Sequence, residues 1–222
     1  MSQVFMNEVE RLKRQILSLS AMVEEHVMLT VNALRERDEA KAKQVVNNDN
    51  QIDAAEVEVE EEGLKILALH QPVAIDLRFV TAVLKINNDL ERIGDIASNV
   101  ARRTRRLCQN PEVDVPSELI ELGRHVRDML HDSLDAFVIL DPEKALAICA
   151  RDDRADELTR RVRTLAQEAA VNDSERLPLY VDIILAARNF ERIGDLATNI
   201  CEDVIYMVRG EIVRHKDLAE CD

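Results

Sequence analysis

The chain has 222 residues, with 29 Lys and Arg against 43 Asp and Glu for a formal charge of −14, so one long domain or two short ones fit the length and the charge argues against a duplex-binding module. Glycine and proline number five each and aromatic residues make up 3%, too few turn formers for a sheet or barrel when an average chain carries roughly 12% Gly plus Pro. At 46% hydrophobic and 32% charged, the sequence is too apolar for a disordered acidic chain and predicts a folded, mostly helical protein.

The first predicted helix carries Phe5, Val9, Leu12, Ile16, Leu19 and Val23, the alternating seam of packed helices. His26 falls on the same seam and reads as a core histidine, not a ligand. On the second helix Val45, Ile52, Val59 and Ile66 form the seam, with Asp49 and Asp53 on its shoulder. Pro72 marks the boundary before the third, whose seam is Phe79, Val83, Ile86, Leu90, Ile93, Ala97 and Val100. With Leu90 and Ile93 pointing to the core, Glu91, Asp95 and Asn99 line up as an outward polar stripe at i, i+4 and i+8. Arg102, Arg103, Arg105 and Arg106 close this helix, where positive charge complements the helix dipole. That reading is preferred to nucleic-acid binding.

A proline-bearing stretch, 109–117, joins this part to the next. Asp141-Pro142-Glu143 is an N-cap with proline at the first helical position and opens the fifth helix, which carries Asp152 and Asp156. Pro178 stands near the start of the sixth, with Leu179, Ile183, Ala186, Phe190, Ile193, Ala197, Ile200 and Val204 as its seam. Glu191, Asp195 and Asn199 face outward from it. Helices of about 27 to 35 residues, joined by short loops, must run antiparallel.

The sequence repeats itself. Leu90-Glu91-Arg92-Ile93-Gly94-Asp95 returns as Phe190-Glu191-Arg192-Ile193-Gly194-Asp195 at an offset of 100, and Asp49-x-x-x-Asp53 returns as Asp152-x-x-x-Asp156 at an offset of 103. The predicted fold is therefore all-α, a tandem duplication of an antiparallel three-helix bundle with six long helices, residues 1–110 forming one bundle and 111–222 the other. The counterpart of His26 is Met129.

Between the copies the core residues change while the outward Glu, Arg, Gly and Asp stay identical, an identity that packing does not require. If the second and third helices of each half are neighbours, four carboxylates share one groove and raise one another's pKa. A divalent or trivalent cation removes that conflict. The candidate ligands are Asp49, Asp53, Glu91, Asp95 and Asn99 in the first half, and Asp152, Asp156, Glu191, Asp195 and Asn199 in the second. An all-oxygen donor set favours Mg²⁺, Ca²⁺ or Mn²⁺, then iron, and zinc less. Gly94 and Gly194 each cost about 1 kcal/mol relative to Ala inside a helix, and serve either the acidic flank or a close helix contact. Arg92 and Arg192 read as members of a charge network. His131 forms a single Asp128-x-x-His131 spacing without counterpart and is discounted as a ligand. Glu56 is matched by Thr159 and Asn87-Asn88 by Ala187-Arg188, so the two halves differ in donors.

Cys108, Cys149, Cys201 and Cys221 show no C-x-x-C spacing, which disfavours a disulfide framework or thiolate zinc site and suggests reduced thiols. No apolar stretch approaches the ~18 residues of a membrane span, and no secretory signal precedes the first helix, so a cytoplasmic protein without membrane insertion is expected. No Gly-rich phosphate loop, nucleophile–base arrangement or repeated Glu-x-x-His is present. A signalling adaptor is favoured over its alternatives, a carboxylate helical-bundle enzyme, which needs inward Glu-x-x-His pairs, and a metal-free structural adaptor.

The duplicated unit, with D-x-x-x-D on one helix and E-R-I-G-D on a later one, closely resembles the PhoU family of phosphate transport system regulators. His70-Gln71-Pro72-Val73-Ala74-Ile75-Asp76-Leu77-Arg78 and Ile205-Tyr206-Met207-Val208-Arg209-Gly210 also match. The resemblance covers about residues 5–212. It implies a cytoplasmic, non-enzymatic negative regulator of the phosphate-starvation response, peripheral to the inner membrane through its partners. Those partners would be the ATPase of the phosphate-specific ABC transporter and a phosphate-responsive sensor histidine kinase. By the same resemblance, iron or zinc clusters would sit on Asp49, Asp53, Glu91 and Asp95 and on Asp152, Asp156, Glu191 and Asp195. A homodimer is a further expectation; nucleic acid is not an expected partner.

Overall fold

Helix ends in this protein follow local chemistry that the duplication has copied. A computed structural model describes residues 3–211. Its first half holds α1 (Gln3–Glu36), α2 (Glu39–His70) and α3 (Ala74–Cys108), and its second α4 (Ser117–Ile139), α5 (Pro142–Cys149), α6 (Asp152–Asn172) and α7 (Leu177–Arg209). A single 3₁₀ turn, Ser174–Arg176, precedes α7, and no strand occurs among the described residues. Asp38 caps α2 by accepting from the backbone N–H of Ala40 and Lys41 at 2.9 and 3.1 Å. Asp141 caps α5 through Lys144 N–H at 2.9 Å, with Pro142 at the first helical position. The residue before each cap, Arg37 or Leu140, is left-handed at φ 51° and 53°, so the same turn was inherited twice.

The all-α duplicated fold is as the sequence predicts, with one difference. The fifth long helix is divided at Ala150 and Arg151 into α5 and α6. Arg151 N–H turns back to the Ile148 carbonyl at 2.9 Å, a tightened last turn. The Arg151 carbonyl then accepts from His125 Nε2 of α4 at 2.9 Å, and the Arg151 guanidinium reaches Asp132. Side chains of α4 therefore hold the break, satisfying backbone that a continuous helix would have paired internally.

The predicted seams are the core. Leu12, Ile16, Leu19, Val23, Val83, Ile86, Leu90 and Ile93 are fully buried in the first half, as are Ile183, Phe190, Ile193, Ala197, Ile200 and Val204 in the second. His26 lies among them, 4% exposed, as expected of a core histidine. One hydrophobic cluster runs through both halves, because α3 packs on α7 and α1 on α4.

Both cross-half pairs are antiparallel. Lys85 near the start of α3 meets Asp203 near the end of α7 at 3.1 Å, and Arg103 near the end of α3 meets Asp182 near the start of α7 at 3.2 Å. Glu24 and Val31 of α1 lie opposite His131 and Gly123 of α4 in the same reversed order. The two copies are thus related by an approximate two-fold axis passing between them. Asp182 and Asp203 are buried on this interface, and their cationic partners from α3 offset the cost of removing a carboxylate from water. Cys108, Cys149 and Cys201 are free thiols; Cys221 lies outside the described residues.

Candidate functional site

α2 and α3 lie side by side in the first half, and α6 and α7 in the second, which brings each D-x-x-x-D pair beside its E-R-I-G-D stripe. Asp53, Asp95, Asp156 and Asp195 are exposed, while Asp49, Glu91, Asp152 and Glu191 are half-buried at the foot of each face. The outward direction read from the helical wheel is therefore correct, and inward Glu pairs of the helical-bundle enzyme type are absent from these stripes.

The four acids of each half act on one another. Burial raises the Glu91 carboxyl first, and the charges of Asp95, Glu56 and Asp53 raise it further. Asp49 is likewise raised by burial, against a lowering hydrogen bond from Ser98, with Asp95 and Asp53 adding to the rise and Arg102 opposing it. In the second half burial, then Asp195, Asp156, Glu191 and Asp153, push Asp152 up to about 6. Glu191 and Asp195 are also raised, by burial first and by neighbouring acids next. This is the like-charge strain expected of carboxylates that share a site.

Two features show what these faces can accept. Asp49 Oδ1 and Asp152 Oδ1, equivalent atoms by the repeat, are buried without a hydrogen-bond partner, a costly condition for a carboxylate oxygen. The donors are all oxygen, as a hard or borderline cation prefers. The residues therefore fit a cation, although among the described residues no three His, Cys, Asp or Glu side chains converge into a ready coordination shell.

The two halves support their acids differently. In the first, buried His26 sits 2.9 Å from Ser98 Oγ and 3.7 Å from Asp49 Oδ1. Burial lowers His26 to about 4, so the ring is neutral and pairs with Ser98 without adding positive charge beside Asp49. Arg102 adds a contact with Asp49 Oδ2 at 3.6 Å. In the second half Met129, Thr198 and Glu202 occupy these places, and the Thr198 hydroxyl bonds back to the Asp195 carbonyl at 2.7 Å instead.

Asn99 spends its side-chain oxygen on Arg102 at 2.8 Å, and Asn199 lines a surface groove of about 790 Å³ between α3 and α7 with Lys85, Arg92 and Asp195. Of the glycines, Gly94 answers the packing alternative, since a Cβ there would lie 3.1 Å from Ile52 Cδ1. Gly194 serves both alternatives, because its Cβ would lie 3.2 Å from Asp152 Oδ1 and 3.5 Å from Val126 Cγ1. Arg92 lies 3.9 Å from Asp89 in the expected charge network. His131 pairs with Glu24 at 2.7 Å and Asp135 at 3.8 Å, away from both stripes.

Sequence reasoning missed how Glu56 is held. Buried Asn87 donates through Nδ2 to both the backbone oxygen and Oε1 of Glu56 at 3.0 Å, fixing a fifth carboxylate beside the first stripe. Asn87 lies one turn before Glu91 on the same line of α3, but that spacing carries no sign of its partner on α2. The Arg102–Arg106 cluster also does more than complement the helix dipole: besides Arg102 on Asp49, Arg103 and Arg106 pair with Asp182 of α7.

Comparison with known proteins agrees with this architecture. The PhoU domain matches residues 16–104 and again 119–204. A phosphate-specific transport system accessory protein PhoU homolog of Pseudomonas putida is 40% identical, over 98% of this chain and 85% of its own length. The corresponding PhoU of Escherichia coli K12 is 34% identical over 98% and 90%. The crystal structure of PhoU from Pseudomonas aeruginosa superposes with a TM-score of 0.88 at 38% identity, covering 93% of this chain and all (100%) of that one. That of the phosphate transport system regulatory protein PhoU from Streptococcus pneumoniae gives 0.86 at 29%, covering 94% and 99%. With two copies of the domain matched in register over nearly the whole chain, the protein belongs to the PhoU family.

Proposed function

We propose that this protein is a regulator of phosphate uptake, an accessory of the phosphate-specific transport system and not an enzyme. It restrains the phosphate-starvation response when phosphate is plentiful by coupling the transporter's ATPase to a phosphate-responsive sensor histidine kinase at the cytoplasmic face of the inner membrane. The full-length similarity to relatives named as accessory proteins of phosphate transport carries this reading. No described helix is long and apolar enough to cross a membrane.

The acidic faces are its metal sites in this reading. Asp49, Asp53, Glu91 and Asp95, and Asp152, Asp156, Glu191 and Asp195, would hold iron or zinc, with Asn99 and Asn199 at the ends of the stripes. The support is the pair of equivalent orphaned oxygens, Asp49 Oδ1 and Asp152 Oδ1, together with the raised carboxyls around them. A bound cation would neutralise each face and give an otherwise anionic surface a means of meeting phosphorylated or acidic partners. The chain's own part is to hold the carboxylates in register from two helices.

Deleting the gene should derepress phosphate-uptake genes in phosphate-rich medium; unchanged expression there would sink the regulatory reading. Elemental mass spectrometry of untagged protein, purified without added metal, should find one or more ions per half, lost in the Glu91→Ala, Glu191→Ala double variant. If neither protein carries metal after supplementation, and the double variant still restores repression, the faces are solvated acids and the protein is a metal-free adaptor.

A further inference from the structure

One stretch of surface carries opposite charge in the two copies of the repeat. Glu56, Val57 and Glu60 of α2 correspond to Thr159, Arg160 and Arg163 of α6, and Asn88 of α3 corresponds to Arg188 of α7, while Arg192 keeps the charge of Arg92. Arg160 and Arg163 stand at i+4 and i+7 from Asp156, on the same side of α6. Arg188 and Arg192 stand about one turn before Glu191 and Asp195 on α7, and the charge of both reaches Glu191. The two helices lie side by side and antiparallel, since Gly194 faces Asp152 and Ala155 at the start of α6. Counted along both helices from that contact, Arg160 comes level with Arg188. The four arginines therefore continue the second acidic stripe toward the turn at 173–176.

All four are exposed, and none forms an ion pair among the described residues. Arg160 gives only a hydrogen bond to the Asp156 carbonyl at 3.3 Å. Carboxylates are not scarce in a chain with 43 acidic against 29 basic side chains. On the α4 side of the same helix, Arg154 pairs with Glu121 and Glu157, and Arg161 with Glu118 at 3.3 Å. Beside the unpaired group, Thr159 Oγ1 is buried without a hydrogen-bond partner. The first half fills the matching place with the Glu56 carboxylate, held by Asn87 at 3.0 Å. The first copy thus carries its own anion where the second has a short side chain and positive surroundings.

We propose that Arg160, Arg163, Arg188 and Arg192, with the Thr159 hydroxyl, form an oxyanion site in the second half that takes a phosphate dianion, free or as a monoester. Guanidinium groups present paired N–H donors that match a tetrahedral oxyanion, and they stay charged throughout the physiological pH range. The four positive charges outweigh the two carboxylates at the edge of the site, Asp156 and Glu191, so the anion binds without help from a metal. Glu56 and Glu60 deny it the same place in the first half, and each chain has a single site of this kind.

The test titrates the full chain, stripped of metal on a chelating resin, with inorganic phosphate and separately with glycerol 3-phosphate, followed by calorimetry. Saturable binding of one anion per chain is expected at millimolar concentration or below, weakening as salt is added. Arg163→Glu combined with Arg188→Asn copies the first half at two exposed positions, so the fold should hold while binding falls roughly tenfold or more. Arg92→Ala, at the matching place in the first half, should leave binding unchanged. If inorganic phosphate alone binds, the ligand is the free anion; if the ester binds as tightly, the site reads the phosphoryl group of a larger molecule. No saturable binding of either compound, binding retained by the double variant, or an equal loss in Arg92→Ala would overturn the proposal.

Discussion

Asp152 is raised by burial and by Asp195, Asp156, Glu191 and Asp153, and it lacks the two groups that lower Asp49, Ser98 and Arg102, whose places Thr198 and Glu202 take. Its folded pKa of about 6 stands above the usual 3.8 of the free group, so the folded state binds the proton more tightly than the unfolded one. Stability of metal-free protein should then be greatest below about pH 4 for this group and fall as pH rises through about 6. Asp152→Asn should flatten that fall, which calorimetric unfolding in chelator across the range would show; identical slopes in the two proteins would assign it to another residue. At this scale the sequence was read well where geometry is one-dimensional. Glu91 and Asp95 follow from a helical wheel alone. The Asn87–Glu56 bond did not, because it depends on which rotamers two facing helices choose, and no spacing rule encodes that.

Helix termini show how far local signals reach. The Asp141-Pro142 start of α5 was legible because cap and proline act within one turn. The break after Cys149 was not, since Ala150 and Arg151 are ordinary helix formers and the cause is His125 and Asp132, more than a turn-and-loop away on α4. Removing either cap makes a clean comparison. Asp38→Ala and Asp141→Ala should each cost about 1 kcal/mol, read as a shift in urea midpoint at constant slope. A near-zero cost at Asp141 would mean that Pro142 alone starts that helix.

Across the whole molecule, the duplication was plain from the two offsets, but the way its copies meet was not. A repeat predicts that two similar units exist, and says nothing of whether they touch along one helix or another. That is decided by side chains such as Asp182, which looks like any acid in the sequence yet is buried against Arg103 and Arg106. Asp182→Ala removes these charge-assisted bonds and should destabilise the protein by roughly 2 kcal/mol. Because the lost contact lies between the halves, chemical unfolding should also broaden or split into two transitions. A single sharp transition with unchanged midpoint would show that the apolar part of the α3–α7 contact alone couples them.

The antiparallel meeting of α3 with α7 and of α1 with α4 gives one polypeptide the symmetry of a two-fold dimer. In an assembly of two identical chains, every substitution appears at both sites at once, and neither can be tuned alone. Here the linkage 109–116 frees the copies from that constraint. One face has His26, Ser98 and a fifth carboxylate, Glu56, around its acids; the other has Met129, Thr198 and Thr159 at the same places. The two-fold symmetry of the backbone therefore carries two chemically different faces, each of which a substitution can change without touching the other.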